Sequence, residues 1–414
     1  MLLAFGWLCW WAVLAALLRF HRPAAIGVWN LMISWFTADL PLFHIVWEAG
    51  VAGVLVWLGA LDHPAGIIGL AAVVSSWGGL LVVFYLQGRA RPTSNEALER
   101  GLGADYLDVL PDERRASLRN RAPVGLVALP FHFPRRGLEI ETGIAYGDHP
   151  TRNLLDVYRP TETDGPLPVL LQIHGGAWVL GNKWQQALPL MHHLARRGWV
   201  CVAINYRLGP KYKFPDQLID VKKALAWVRE NIAEYGGDPD LVVVTGGSAG
   251  GHLAALTALT PNRPEYQPGF EDVETGVTAC MPFYGPTDFT DEGHIRVRIE
   301  DSYETLLRFT VMPGPQSVVP DLYAAMSPVH QVRPDAPPFF ILQGAIDVLV
   351  WREENRYFSQ RLAEVSDQPV VYWEVPYAQH MFDTLNSRRC CAVVDACERF
   401  VDWAVARARA AAGG

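Results

Sequence analysis

The sequence predicts an α/β protein with a mostly parallel, doubly wound sheet, preceded by an apolar helical region. Three observations carry that prediction. Short, β-branched and nearly all-apolar runs recur between residues 139 and 375, and such runs suit strands buried on both faces of a parallel sheet. Helical periods alternate with them, the signature of strand–helix–strand crossovers. Charge is the third: Arg19, Arg22, Asp39, Glu48 and Asp62 are the only charged side chains before residue 89, whereas the remainder has ordinary globular composition. The chain therefore divides into an anchor at residues 1–91, a linker or cap segment at 92–137, and a main domain at 138–414.

The first region is read as about three membrane-spanning helices. Residues 2–18 and 67–86 are clean apolar runs of nearly the ~20 residues a spanning helix needs. A third, 43–61, carries His44 and Glu48, four apart on one helix face, which places them at the headgroup level or against neighbouring helices. Residues 24–36 are apolar as well and either lie along the interface or extend the first helix. The basic residues Arg19 and Arg22 follow the first apolar run rather than precede it, which suits a retained anchor better than a cleaved leader. Eight of the 15 tryptophans lie here, as an aromatic belt requires. With three spans, Arg19, Arg22, Arg89 and Arg91 fall on the side of the main domain. The positive-inside rule then gives a multi-pass protein of the cell membrane with that domain in the cytoplasm.

Net charge is −8 and no Lys/Arg-rich run occurs, which excludes a nucleic-acid footprint. Six cysteines, three of them Cys390, Cys391 and Cys397, show no C-x-x-C spacing and read as reduced, packed thiols. No metal or cofactor is expected.

In the main domain, residues 139–145 and 154–158 read as an opening hairpin. Buried strands follow at 169–173, 200–205, 242–245, 277–283, 339–343 and 370–375. Helical pattern fits 186–197, 216–235, 249–259, 352–365 and 391–408; it is clearest where Leu218, Val221, Leu225, Val228 and Ile232 recur at three- and four-residue steps. Ligands of such sheets bind at the carboxyl ends of the strands, and each motif below sits at one.

The strand at 242–245 runs into Gly246-Gly247-Ser248-Ala249-Gly250 and then a helix. This is G-x-S-x-G in a strand–turn–helix setting, where a tight elbow exposes a nucleophilic serine and forbids side chains two residues to either side. The strand at 169–173 ends in His174-Gly175-Gly176-Ala177-Trp178, whose glycines allow backbone N–H groups to converge on an oxyanion. Gly175, Gly176 and the N–H of Ala249 are the expected donors. In this chemistry the acid follows the serine and the histidine comes last. Asp347 follows the strand at 339–343, and His380, the only histidine after it, follows the strand at 370–375. Asp288, Asp321 and Glu353 are lesser alternatives for the acid. Ser248, Asp347 and His380 are thus the expected nucleophile, acid and base. His252 reads as a packing residue of the elbow helix, while His174 and Asp220 read as supports of the oxyanion loop.

HGGAW at 174–178, NYRLGP at 205–210, GGSAGGHLAAL at 246–256, YGPTD at 284–288 and VPYAQHMFD at 375–383 together resemble the hormone-sensitive-lipase-like esterases of the α/β-hydrolase fold, across residues 139–405. The likeness is to a bacterial, membrane-anchored carboxylesterase or lipase. It implies hydrolysis of small-molecule or lipid esters through an acyl-serine intermediate. Ala177 departs from the family's third glycine, and HGGxW also occurs in feruloyl-type esterases and arylformamidases. An amidase, arylformamidase or acyltransferase using the same three residues is the alternative. An inactive membrane scaffold would be expected to lack one of them, and none is missing. Residues 289–335 exceed a minimal connection and read as a cap insertion. Trp178 and Trp184 are candidates to line the substrate entrance, or else anchors of core and loop.

Overall fold

The computed structural model describes every residue except 20–23, 119–123, 164, 296–299 and 413–414. Arg22, used above for orientation, lies outside the described residues, as do parts of the linker and of the cap.

Five helices open the chain: α1 (Leu2–Leu17), α2 (Ala24–Asp39), α3 (Pro41–Trp57), α4 (Pro64–Gln87) and α5 (Ala90–Leu102). α1 and α4 lie side by side and point the same way. Trp10 Nε1 donates to Ser75 Oγ at 3.0 Å, and a side chain at Gly69 would stand 2.4 Å from the Leu3 nitrogen. Small residues at such a seam let two backbones approach. α3 runs against α4, with Ser76 Oγ donating to Glu48 Oε2 at 3.3 Å. α2 meets α3 at a bend of 104°. It crosses one end of the bundle, where Gln87 Nε2 donates to the Ala38 and Asp39 carbonyls. α1 ends at Leu17 with Leu18 extended, so residues 24–36 do not continue the first helix.

Among the described residues one helix, Pro64–Leu102, is long and apolar enough to cross a membrane. Of the three expected spans, the one at 67–86 meets that criterion alone. α1 has 16 residues, and α3 passes the same test only jointly with the bent α2. Polarity in this bundle is inverted relative to a helix in water. Trp57, Trp29 and Ile68 are 83%, 73% and 61% exposed, while Asn30, Ser34, Thr37, Glu48, Ser76 and Gln87 are buried. His44 and Glu48 face their neighbours, as one of the sequence readings held, with His44 Nδ1 3.7 Å from Glu48 Oε1.

Two short helices, α6 (Asp112–Ser117) and α7 (Val124–Ala128), lead to the sheet. Its strands are β1 (Leu138–Ala145), β2 (Leu154–Pro160), β3 (Leu167–Ile173), β4 (Val200–Ile204), β5 (Gly237–Gly247), β6 (Ala279–Phe283), β7 (Phe339–Gly344) and β8 (Val370–Val375). Their spatial order is β1-β2-β4-β3-β5-β6-β7-β8. β1–β2 and β2–β4 pair antiparallel and the remaining pairs are parallel, which realises the predicted hairpin and doubly wound sheet. α9 (Asp216–Asn231), α10 (Ala249–Leu259) and α13 (Arg352–Val365) cover one face; α8 (Leu188–Arg196), α14 (Arg388–Ala412) and α5 cover the other. Apolar residues alternate to the two faces along β3, where Leu171 and Ile173 join one core and Leu170 the other.

α5 falls in the segment expected to link or cap, and does neither. Ala90, Ala97 and Leu98 are buried under β8 and α14. Trp373 Nε1 donates to Thr93 Oγ1 at 3.1 Å, and Arg91 pairs with Asp395. Two helices, α11 (Glu300–Thr310) and α12 (Pro320–Met326), occupy the predicted cap insertion.

Candidate active site

Parallel register brings five strand ends to one edge: Ile173 pairs with Gly246, Gly247 with Phe283, and Gly344 with Val375. His174, Ser248, Asp347 and His380 leave the sheet at that edge. Ser248 stands between β5 and α10 with φ 57° and ψ −122°, a left-handed conformation that costs a side-chain-bearing residue of order 1–3 kcal/mol. It is held by its own N–H, which donates to the Phe283 carbonyl at 2.9 Å. Close packing explains the glycines around it. A Cβ at Gly250 would lie 2.1 Å from the Ile173 oxygen. As the first residue of α10, Ala249 presents an N–H that no intrahelical carbonyl can satisfy, at the positive end of the helix dipole.

The turn after β3 packs on this elbow. A Cβ at Gly175 would stand 2.5 Å from the Gly247 oxygen and 3.1 Å from Ser248 Cβ. The Gly175 N–H, expected as an oxyanion donor, instead donates to Gln186 Oε1 at 2.6 Å. The N–H groups of Gly176 and Ala177 meet no protein acceptor among the described residues. Ala177 and Trp178 have φ of 49° and 60°, so the turn is wound left-handed where the family resemblance would place a third glycine.

His174 supports this turn. Burial pushes its pKa down to about 3, against a hydrogen bond to the Gly175 carbonyl that raises it. The neutral ring donates from Nδ1 to that carbonyl at 2.7 Å, accepts from Arg152 Nη2 at Nε2, and stacks on Tyr206 at 4.4 Å. Asp220 holds the neighbouring loop by accepting from the Arg207 N–H and guanidinium.

Asp347 and His380 meet as expected, both buried, with Nδ1 to Oδ2 at 2.8 Å. Oδ1 of Asp347 accepts from the Leu349 and Val350 N–H groups at 2.8 and 3.0 Å, and Oδ2 also accepts from Gln343 Nε2 at 3.3 Å. A carboxylate so placed keeps the imidazole proton on Nδ1 and leaves Nε2 as the acceptor. The other acids are engaged elsewhere: Glu353 pairs with Arg19 and Arg352, and Asp288 accepts from Thr290 and Gly293.

Sequence reasoning did not single out Tyr284, Asp383, Gln186 or Gln343. The Tyr284 ring lies 4.4 Å from that of His380, and its hydroxyl donates to Asp383 Oδ1. Both residues fall in quoted motifs, YGPTD and QHMFD, which were the available signal. Gln186 and Gln343 act through side chains whose direction no motif encodes.

Trp178 is a core residue. Its Nε1 donates to His252 Nδ1 at 3.2 Å, and His252 Nε2 donates to the Met326 carbonyl at 2.7 Å, tying the elbow helix to α12. Trp184 is exposed. Among the described residues one group has the spacing for a metal ion, His193, Asp395 and Glu398. Arg91, Arg114 and Arg197 already pair with its carboxylates, so the protein itself supplies the positive charge there.

Comparison with known proteins places the chain among esterases. The BD-FAE family model matches residues 155–362. The chain is 42% identical to "Probable carboxylic ester hydrolase LipM" of Mycobacterium tuberculosis over 404 residues, 94% of this chain and 90% of that protein. It is 39% identical to "Esterase LipC" of the same organism, covering 94% of this chain and 98% of that one. Among solved structures it resembles a thermophilic esterase of Thermogutta terrifontis with bound butyrate, at TM-score 0.52 and 28% identity, covering 64% of this chain and 91% of the other.

Proposed function

The chain belongs to the BD-FAE family and is similar throughout to hormone-sensitive-lipase-like α/β-hydrolase esterases, and from that premise we propose that it hydrolyses lipophilic carboxylic esters through an acyl-Ser248 intermediate. The observation that carries the serine mechanism is the buried His380–Asp347 pair at 2.8 Å, on the same sheet edge as a serine held at φ 57°.

Ser248 Oγ attacks the ester carbonyl carbon while its proton passes to His380 Nε2, and Asp347 stabilises the imidazolium. The oxyanion is received by the Ala249 N–H with those of Gly176 and Ala177, which take the place first expected of Gly175 because the Gly175 N–H is occupied by Gln186. Collapse breaks the C–O bond, and His380 returns the proton to the leaving alcohol. Water then repeats the sequence on the acyl-serine and releases the acid. Ala177 contributes through its backbone, so its methyl in place of a third glycine leaves the donor in position.

The lipophilic substrate class rests on the inverted bundle. Its exposed face is apolar and its polar groups are buried, the arrangement hydrocarbon favours. A recess of about 500 Å³ lined by Leu8, Ala12, Met32, Phe36, Phe43 and Phe131 opens within it. Phe36 on its wall lies 4.4 Å from Trp35, whose Nε1 donates to the carbonyl of Met381, the residue after His380. We place α1, α3 and α4 in the bilayer with the main domain on the cytoplasmic side, the side of Arg19, Arg89 and Arg91. A reporter fused after residue 414 and found exported overturns that orientation.

Membrane fractions should hydrolyse p-nitrophenyl esters and label with a fluorophosphonate, and Ser248→Ala should abolish both. Labelling or turnover that persists in Ser248→Ala refutes the mechanism. Activity that does not rise from acetyl to longer acyl esters refutes the substrate class alone.

A further inference from the structure

We propose that the N-terminal helices position the acid–base pair, with Arg19, Trp35 and Asp39 serving as positioning residues for Asp347 and His380. The inference rests on the serine mechanism above and concerns residues that mechanism does not use.

Three contacts run from the apolar region to the two catalytic loops. Arg19, just after α1, donates from Nε to the backbone carbonyl of Asp347 at 3.0 Å, and its Nη1 meets both Glu353 oxygens at 3.1 Å. Its guanidinium also lies over the Trp351 ring, 5.6 Å from the centroid. Trp35 of α2 donates to the Met381 carbonyl at 3.0 Å. Asp39, at the end of α2, accepts from Arg389 Nη1 at 2.6 Å, both side chains being 1% exposed. The other arm of Arg389 donates to the Tyr377 carbonyl at 2.8 Å.

These attachments fall where the base loop is strained. Tyr377 and Met381, three residues before and one after His380, have φ of 53° and 62°, values that side-chain-bearing residues hold only when the surroundings over-determine them. The carbonyl of each is one that the helices hold, Met381 directly and Tyr377 through the Asp39–Arg389 pair. The acid and base loops are joined to one another by Ile346 N–H donating to the Ala378 carbonyl at 3.1 Å, so a hold on either constrains both. Since a misplacement of about 1 Å can lower a rate ~100-fold, loss of a hold acts on turnover before it acts on binding.

The test uses the full chain in detergent or vesicles with p-nitrophenyl butyrate. Trp35→Phe removes the N–H and keeps the ring; Arg19→Gln removes the guanidinium. Each should lower kcat about tenfold, the weight of one lost hydrogen bond, with KM within twofold and an unchanged melting profile. The double variant should lose more than either single variant and at most about 100-fold, because the joined loops couple the two holds. Arg19→Lys, which can still donate to the Asp347 carbonyl, should recover part of kcat. Fluorophosphonate labelling of Ser248 should slow in the same proportion. Folded Trp35→Phe and Arg19→Gln proteins with wild-type kcat overturn the proposal. So does a loss expressed only in KM or only in melting. If the wild-type chain fails to label at Ser248, the serine mechanism itself falls, a result distinct from either.

Discussion

Asp347→Asn offers the sharpest test of the acid. The exchange keeps the shape and removes only charge and one acceptor, so the local hydrogen bonds decide the outcome. The asparagine amide has two orientations. With its nitrogen toward Leu349 and Val350 it faces two backbone donors, now 2.8 and 3.0 Å from Oδ1, and leaves both N–H groups unpaired. With its oxygen there it keeps both bonds and turns its nitrogen to His380 and Gln343, now 2.8 and 3.3 Å from Oδ2. The second is favoured, since each buried donor left unpaired costs about 1–3 kcal/mol. It donates to His380 Nδ1 and so moves the ring proton to Nε2, where the base must instead offer a lone pair to Ser248. In other Ser-His-Asp triads the same exchange lowers kcat about 10⁴-fold, or about 5 kcal/mol of barrier. Turnover of p-nitrophenyl butyrate across pH 6–9, with a thermal melt as control, measures it. Asp383→Asn, three residues beyond the base and bonded to Tyr284, should stay within tenfold of wild type. An Asp347→Asn enzyme retaining more than about a tenth of kcat at pH 7 refutes the assignment, as does a larger loss in Asp383→Asn.

Two more outcomes follow from the same region. Burial lowers the His252 pKa from 6.5 to about 4, so the unfolded chain takes up the proton first as pH falls. Stability conferred by the neutral ring is complete above about pH 6.5 and declines toward pH 4 by about 3 kcal/mol; the melting temperature should track this, and His252→Gln should flatten that limb, an unaltered slope counting against it. Gly175→Ala places a Cβ 2.5 Å from the Gly247 oxygen and should lower kcat/KM about 100-fold through displacement of the turn, whereas Gly165→Ala, which meets nothing within 4 Å, should leave it unchanged; equal activity in the two variants refutes the close-approach account.

The parts of this protein legible in its sequence are those written as contiguous pattern. Buried parallel strands read as apolar runs because both faces need apolar side chains, and the serine, acid and base read from strand ends because the sheet aligns them. What stayed hidden depends on side chains that reach across the chain. Gln186 takes the N–H of Gly175 from 11 residues away, which no property of HGGAW announces. Trp178 turns inward to His252 because the turn is left-handed at Ala177 and Trp178, a conformation that only a glycine would have advertised. Residues 92–137 read as a linker or cap segment, yet Ala90, Ala97 and Leu98 of α5 join the core that β8 and α14 cover.

α4 and α5 are parted only by Gly88 and Arg89, both with helical φ and ψ, and count as one rod of 39 residues. At 1.5 Å per residue its length is about 58 Å, against about 30 Å of bilayer hydrocarbon. The remainder projects into the main domain and is clamped there along β8, the strand that leads to His380. In a bilayer, such a mast sets the altitude and heading of the reaction centre. Esters would then be selected by how far their carbonyl rises above the lipid tails, a criterion separate from the fit of any acyl pocket.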